Sequence, residues 1–119
     1  MSDLPPPVAA LAAAPGSAVR ETHTSWVVLR GARAYKVKKP VAFPFLDQRS
    51  LAQRRAACRA EVALNQTLAP DIYLGVRALV PARSGVALAP ADAPEAVEYA
   101  VEMRRFDEEA TLAARVRRG

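Results

Sequence analysis

Lys36 and Glu61 are spaced to grip a phosphate: the lysine lies in the run Ala34-Tyr35-Lys36-Val37-Lys38, and the glutamate follows 25 residues later. A lysine on a strand can reach the α- and β-phosphates of a bound nucleotide when a carboxylate from the next helix holds its side chain extended. Lys38 has the same parity as Lys36 on the strand and can take its place. A plainer reading makes Lys36 one of three surface lysines, with Lys38 and Lys39, and Glu61 a helix charge facing Arg54 or water. Spacing alone leaves both readings open.

Two further runs have suitable chemistry. Thr22-His23-Thr24-Ser25 sets hydroxyls and backbone amides in a tight loop between two strands, where oriented amides can form an anion-binding nest without glycine. Its alternative is an ordinary polar hairpin. Met103-Arg104-Arg105-Phe106 ends the last strand, the place from which a nucleotide-binding lobe offers its backbone to adenine. Its alternative is an amphipathic edge strand closing on surface arginines.

Other chemistries are excluded by count. His23 is the only histidine and Cys58 the only cysteine, so neither a multi-histidine metal site nor a cysteine-rich zinc site can form. An intramolecular disulfide is impossible too, which suits a reducing compartment. Neither G-x-x-x-x-G-K-[ST] nor G-x-G-x-x-G occurs among the five scattered glycines. A Ser-His-Asp arrangement can be assembled only by free choice among residues.

The elements that must position these residues follow from patterning. Residues 1–17 form a proline-marked lead-in, loose apart from one short helix at Val8–Ala14. Val19–Glu21, Trp26–Arg30 and Ala34–Lys39 have the β-branched and aromatic content of strands, with Gly31-Ala32-Arg33 as a hairpin connection. In the third strand Tyr35, Val37 and Lys39 face one way and Ala34, Lys36 and Lys38 the other. Pro40 ends it, and Val41–Leu46 reads as an apolar loop stiffened by prolines. A helix opens at Asp47 or Ser50 and runs to about Leu68, with Leu51, Cys58, Val62 and Leu64 on its buried side. Strands follow at Tyr73–Val80 and around Val86–Leu88, joined by a turn at Arg83-Ser84-Gly85. The last strand, Ala96–Phe106, has Val97, Tyr99, Val101 and Met103 on one face. A segment from Asp107 looks like the start of a helix. This order predicts an α+β domain: an antiparallel sheet of about five strands with one long helix packed on it.

Several of these runs resemble the opening of the aminoglycoside-phosphotransferase-like kinase family, in the bacterial branch fused to a P-loop ATP-binding domain. They are Glu21–Val27, Ala34–Pro40, Phe43–Asp47, Arg54–Cys58, Glu61–Asn65 and Leu68–Val76, and the resemblance covers roughly residues 18–112. It implies a protein-kinase-like N-lobe over residues 18–106 and the start of a linker or helix toward an absent C-lobe over 107–119. It further implies ATP with Mg2+ as ligand, Lys36 as the phosphate-gripping lysine and Glu61 as its helix partner. Thr24 and Ser25 would sit in the phosphate-covering turn, and Met103, Arg104 and Arg105 in the hinge. The missing C-terminal kinase lobe and a P-loop domain are the implied partners. The catalytic loop H-G-D-x-x-x-x-N of such kinases has no counterpart here: His23 is followed by Thr24, and the sole asparagine is Asn65. The expectation is therefore an ATP-binding fragment of a small-molecule phosphotransferase, inactive alone, whose metal ligands lie outside this chain.

Composition sets the bounds. At 119 residues and 51% hydrophobic there is room for one domain, but much of that share is alanine, so the core should be thin. A net charge of +5 suits an anionic partner. Clusters at Arg30–Lys39, Arg54–Arg59 and Arg104–Arg118 keep a rival reading alive, a small basic nucleic-acid-binding or interaction module using Arg54, Arg55, Arg59 and the C-terminal arginines. Trp26, Tyr35 and Tyr73 sit in apolar strand patterns, which suits a core better than base stacking. A degenerate lobe without ligand is a third reading. No apolar run approaches the roughly 18–20 residues of a membrane span, and the N-terminus lacks the basic start of a secretory signal. A cytoplasmic protein without membrane contact is expected.

Overall fold

The computed structural model describes residues 4–83 and 85–105; Phe106 and the expected segment 107–119 lie outside the described residues. The elements are α1 (Pro6–Ala12), β1 (Ala18–Glu21), β2 (Ser25–Arg30), β3 (Arg33–Lys38), β4 (Ala42–Phe43), β5 (Leu46–Asp47), α2 (Leu51–Leu68), β6 (Tyr73–Ala82), β7 (Gly85–Pro90) and β8 (Glu98–Arg104). Six strands form one antiparallel sheet in the order β1-β2-β3-β8-β6-β7, and β4 and β5 form a small separate hairpin. The protein is α+β with an antiparallel sheet, one strand wider than expected.

Alternation divides the sheet into two faces. Trp26 and Val28 of β2 and Tyr35 and Val37 of β3 are buried on one side. In the register, Trp26 opposes Val37 and Val28 opposes Tyr35, while Ser25 opposes Lys38 and Val27 opposes Lys36. Directly opposed residues share a face, so Ser25, Lys36 and Lys38 stand together on the other side.

Each face carries a helix. On the first, Val8 and Leu11 of α1 join Trp26, Val28, Tyr35, Val37, Leu79 and Ala100 in one apolar cluster. On the second, Cys58 and Val62 of α2 pack with Ala78, Tyr99 and Val101. Residues 6–12 of the lead-in are therefore not loose: they form α1 and supply Val8 and Leu11, each 1% exposed. Gly85 permits the approach, since a Cβ there would lie 2.8 Å from the Ala10 Cβ and the backbone has φ of +121°. Alanine-rich sequence around Val8 and Leu11 conceals an amphipathic pattern only two buried residues long.

The long helix begins where capping dictates. The Ser50 side chain accepts from the Gln53 amide at 3.1 Å, and the Gln53 side chain accepts from the Ser50 amide at 2.9 Å, a reciprocal capping box. Leu51, Arg55, Cys58 and Val62 follow a 3.6-residue stripe facing the sheet. Leu64, expected on that stripe, is 68% exposed, because two residues past Val62 is about 200° around the helix. Pro70 follows the helix, where a further turn cannot continue. The expected loop at 41–46 instead folds back as the β4–β5 hairpin, with the Phe43 and Phe45 rings stacked at 6.2 Å.

Candidate functional site

Lys36 and Glu61 meet. The Lys36 ammonium donates to Glu61 Oε2 at 2.8 Å, across the space between the sheet and α2. Lys38 donates to the other carboxylate oxygen, Oε1. One carboxylate thus holds two ammoniums, the product of a two-residue strand repeat facing a single helix position. The cluster is sheltered, with side-chain exposures of 27% for Lys36 and 13% for both Lys38 and Glu61. Burial pushes the Glu61 carboxyl up, but the hydrogen bonds from Lys36 and Lys38 outweigh it and hold the group below the ordinary carboxylate range.

The third lysine is elsewhere. Lys39 continues the alternation onto the opposite face, where its ammonium pairs with Glu21 and lies 5.3 Å from the Trp26 ring centroid. The three lysines are thereby sorted into a shared site under α2 and a separate pair on the opposite face.

Glu61 is aimed by the whole helix. Two turns earlier, Arg54 Nε donates to both oxygens of Glu98 at 3.0 and 3.1 Å, and its Nη1 donates to the Gln48 and Arg49 carbonyls. Residues seven apart share a helix side, so Arg54 near the start of α2 and Glu61 past its middle fix its rotation together. Arg55 Cζ lies 5.7 Å from the Tyr99 ring centroid, within cation–π range.

The Thr22–Ser25 turn stands at the Lys38 end of β3. The Thr22 hydroxyl accepts from the Ser25 amide at 3.0 Å and from the Thr24 amide at 3.3 Å, so a phosphate there competes with a side chain of the turn itself. Thr24 is half-buried, and Ser25 is buried on the same face as Lys38. Gln48 is a residue that sequence reasoning missed. It is 2% exposed, and its amide donates to the carbonyls of Thr24 at 3.2 Å and Lys39 at 2.9 Å. It ties the turn to the end of β3 and to the chain entering α2. A polar residue in a loop gives no periodic signal for such a role.

Met103, Arg104 and Arg105 stand at the opposite end of β3. Met103 pairs with Ala34 and Tyr73 and packs under α2, two residues along β8 from Val101, the partner of Lys36. Arg104 and Arg105 are exposed. Their amides donate to the carbonyls of Ile72 at 2.8 Å and Ala32 at 2.9 Å, so these two donors are already engaged. Lys36 therefore lies between the turn and this segment along β3. Among the described residues no group of three or more histidine, cysteine or acidic side chains could hold a metal ion, and no helix is long and apolar enough to cross a membrane.

Comparison with curated proteins finds uncharacterized proteins of Mycobacterium bovis and of two Mycobacterium tuberculosis strains, CDC 1551 and H37Rv. Each is 44% identical over 101 residues, which is 85% of this chain and 18% of the relative. The chain thus spans less than a fifth of the length of these relatives. No family model and no solved structure matches it.

Proposed function

We propose that this chain is the nucleotide-binding lobe of a small-molecule phosphotransferase resembling the aminoglycoside phosphotransferases, with Lys36 gripping the phosphates of ATP. The observation that carries this reading is the 2.8 Å contact between Lys36 on the third strand and Glu61 on the following helix, the pairing that positions a phosphate-binding lysine in protein kinases. The order of parts supports it: the Thr22–Ser25 turn, Lys36 and the Met103–Arg105 segment succeed one another along β3, as an extended nucleotide requires. The cationic cluster fits a polyphosphate. ATP supplies the transferable phosphoryl group when bound, and this chain's residues would bind and orient it. The greater length of the relatives leaves room for the acceptor site and the base elsewhere in the full protein.

Internal pairing weakens the nucleic-acid reading. Arg54, one of the arginines that reading needs, is committed to Glu98, and outside it Arg49 pairs with Asp47 and Arg77 with Glu102, so these three charges are met within the domain.

Equilibrium dialysis of ATP against the chain at low salt tests the proposal. Lys36→Ala should weaken binding roughly tenfold, the worth of one hydrogen bond to a charged group. Equal binding by wild type and a folded Lys36→Ala variant would contradict the assignment.

A further inference from the structure

The phosphate grip reads as a single lysine with a single counter-ion, yet the cluster holds two ammoniums on one carboxylate. Its formal charge is positive in a setting where each of the three side chains is mostly shielded from water. A sheltered excess charge is costly unless an opposite charge completes it, and Glu61 is the only anion within contact of either lysine among the described residues. Each ammonium carries three donors, and one from each goes to Glu61. The remaining donors sit on one sheet face, on side chains drawn together by the two oxygens of the same group. A lone phosphate needs no such pair; a di- or triphosphate, with charge on successive phosphorus centres, can engage both.

From this we infer that Lys38 is a second phosphate-binding residue, acting with Lys36 on one polyphosphate while Glu61 serves as the counter-ion they share. The inference rests on the nucleotide-lobe reading and deepens it. Lys38 is the less exposed of the two lysines, so a phosphate between them sits deeper under α2 than one held by Lys36 alone. Lys39 takes no part, since it faces Trp26 and Glu21 on the other side of the sheet.

The test titrates inorganic pyrophosphate and ATP separately into the 119-residue chain, its Lys36→Met, Lys38→Met and Lys38→Arg variants, with thermal midpoints measured alongside. Lys38→Met should weaken both ligands roughly tenfold, as Lys36→Met does, and Lys38→Arg should restore most of the loss because the charge returns. Weakening of ATP with no effect on pyrophosphate would assign the change to the nucleoside end and overturn the inference. Loss with Lys36→Met but wild-type affinity in Lys38→Met would also overturn it, while leaving the nucleotide-lobe reading intact. Binding indifferent to Lys36→Met would overturn that reading itself. Should Lys38→Met fail to fold, the wild-type chain decides: amine acylation read by mass spectrometry, with and without pyrophosphate, should show protection of Lys36 and Lys38 and none of Lys39. Protection confined to Lys36 would overturn the inference.

Discussion

At the scale of single residues, Glu61 carries more of the structure than either lysine it holds. Lys36→Ala leaves the carboxylate paired with Lys38 and should cost at most about 1 kcal/mol, the range of partly exposed ion pairs. Glu61→Ala strands two half-sheltered ammoniums and should cost about 2 kcal/mol, between the values for exposed and buried pairs. Denaturant unfolding of the two variants checks the order; a Lys36→Ala loss exceeding that of Glu61→Ala would contradict it. Acid adds a second check. The folded-state pKa of Glu61 is lowered, so its stabilisation is present above the unfolded value and fades as pH falls through the folded one. The thermal midpoint should therefore drop as pH falls below about 4.3, the ordinary glutamate value, and more steeply in wild type than in Glu61→Gln. The strong acid-side shift of Asp47 beside Arg49 is common to both proteins and cancels in that comparison; parallel curves would contradict the shift at Glu61. Cys58 behaves oppositely. Burial pushes its thiol up to about 12, so iodoacetamide at pH 8 should label it only on unfolding, and rapid labelling of the native chain would contradict its place under α2.

At the scale of elements, the first helix is a working part of the core. Leu11→Ala should cost about 2–5 kcal/mol by opening a cavity against Trp26 and Leu79, whereas Leu68→Ala, on the 78% exposed outer side of α2, should change stability by less than about 0.5 kcal/mol. Denaturant midpoints separate the two, and equal small losses would mean that α1 does not seal the sheet. Much of this arrangement was legible in the sequence, and physical reasons separate what was from what was not. The strand alternation of Tyr35, Lys36, Val37 and Lys38 placed both lysines on one face, because a period of two leaves no choice. The Ser50 cap and Pro70 bounded α2 closely. Leu64 was misplaced because sparse apolar residues among alanines define a helix stripe poorly. α1 reads as a lead-in for the same reason, since only Val8 and Leu11 mark its buried side. The β4–β5 hairpin and the Gln48 staple were invisible, since both depend on contacts between segments that are distant from one another or lack a period. Lys38 was visible as a substitute for Lys36; that Glu61 holds both at once needed the three-dimensional register.

At the scale of the whole molecule, α1 and α2 clamp a six-stranded sheet from opposite faces, and the polar cluster sits on the α2 side only. The relatives are several times longer, and on the proposed reading this chain's share of the reaction is to bind and orient a nucleotide. Phosphoryl transfer also demands a base and carboxylates for the metal, which the proposed reading leaves to the rest of the relatives' length. The 119-residue chain should accordingly release no phosphate from ATP above the buffer rate; turnover removed by Lys36→Ala would show a more complete site than the one described. The most direct measurement uses the fact that all three lysines lie at positions 36, 38 and 39. An acyl-phosphate derivative of ATP transfers its acyl group to an amine beside the terminal phosphate, and peptide mass spectrometry reports which lysine receives it. Label on Lys36 or Lys38, competed away by free ATP, is the predicted result; label confined to Lys39, or label indifferent to competing ATP, would contradict a phosphate grip built on Lys36 and Glu61.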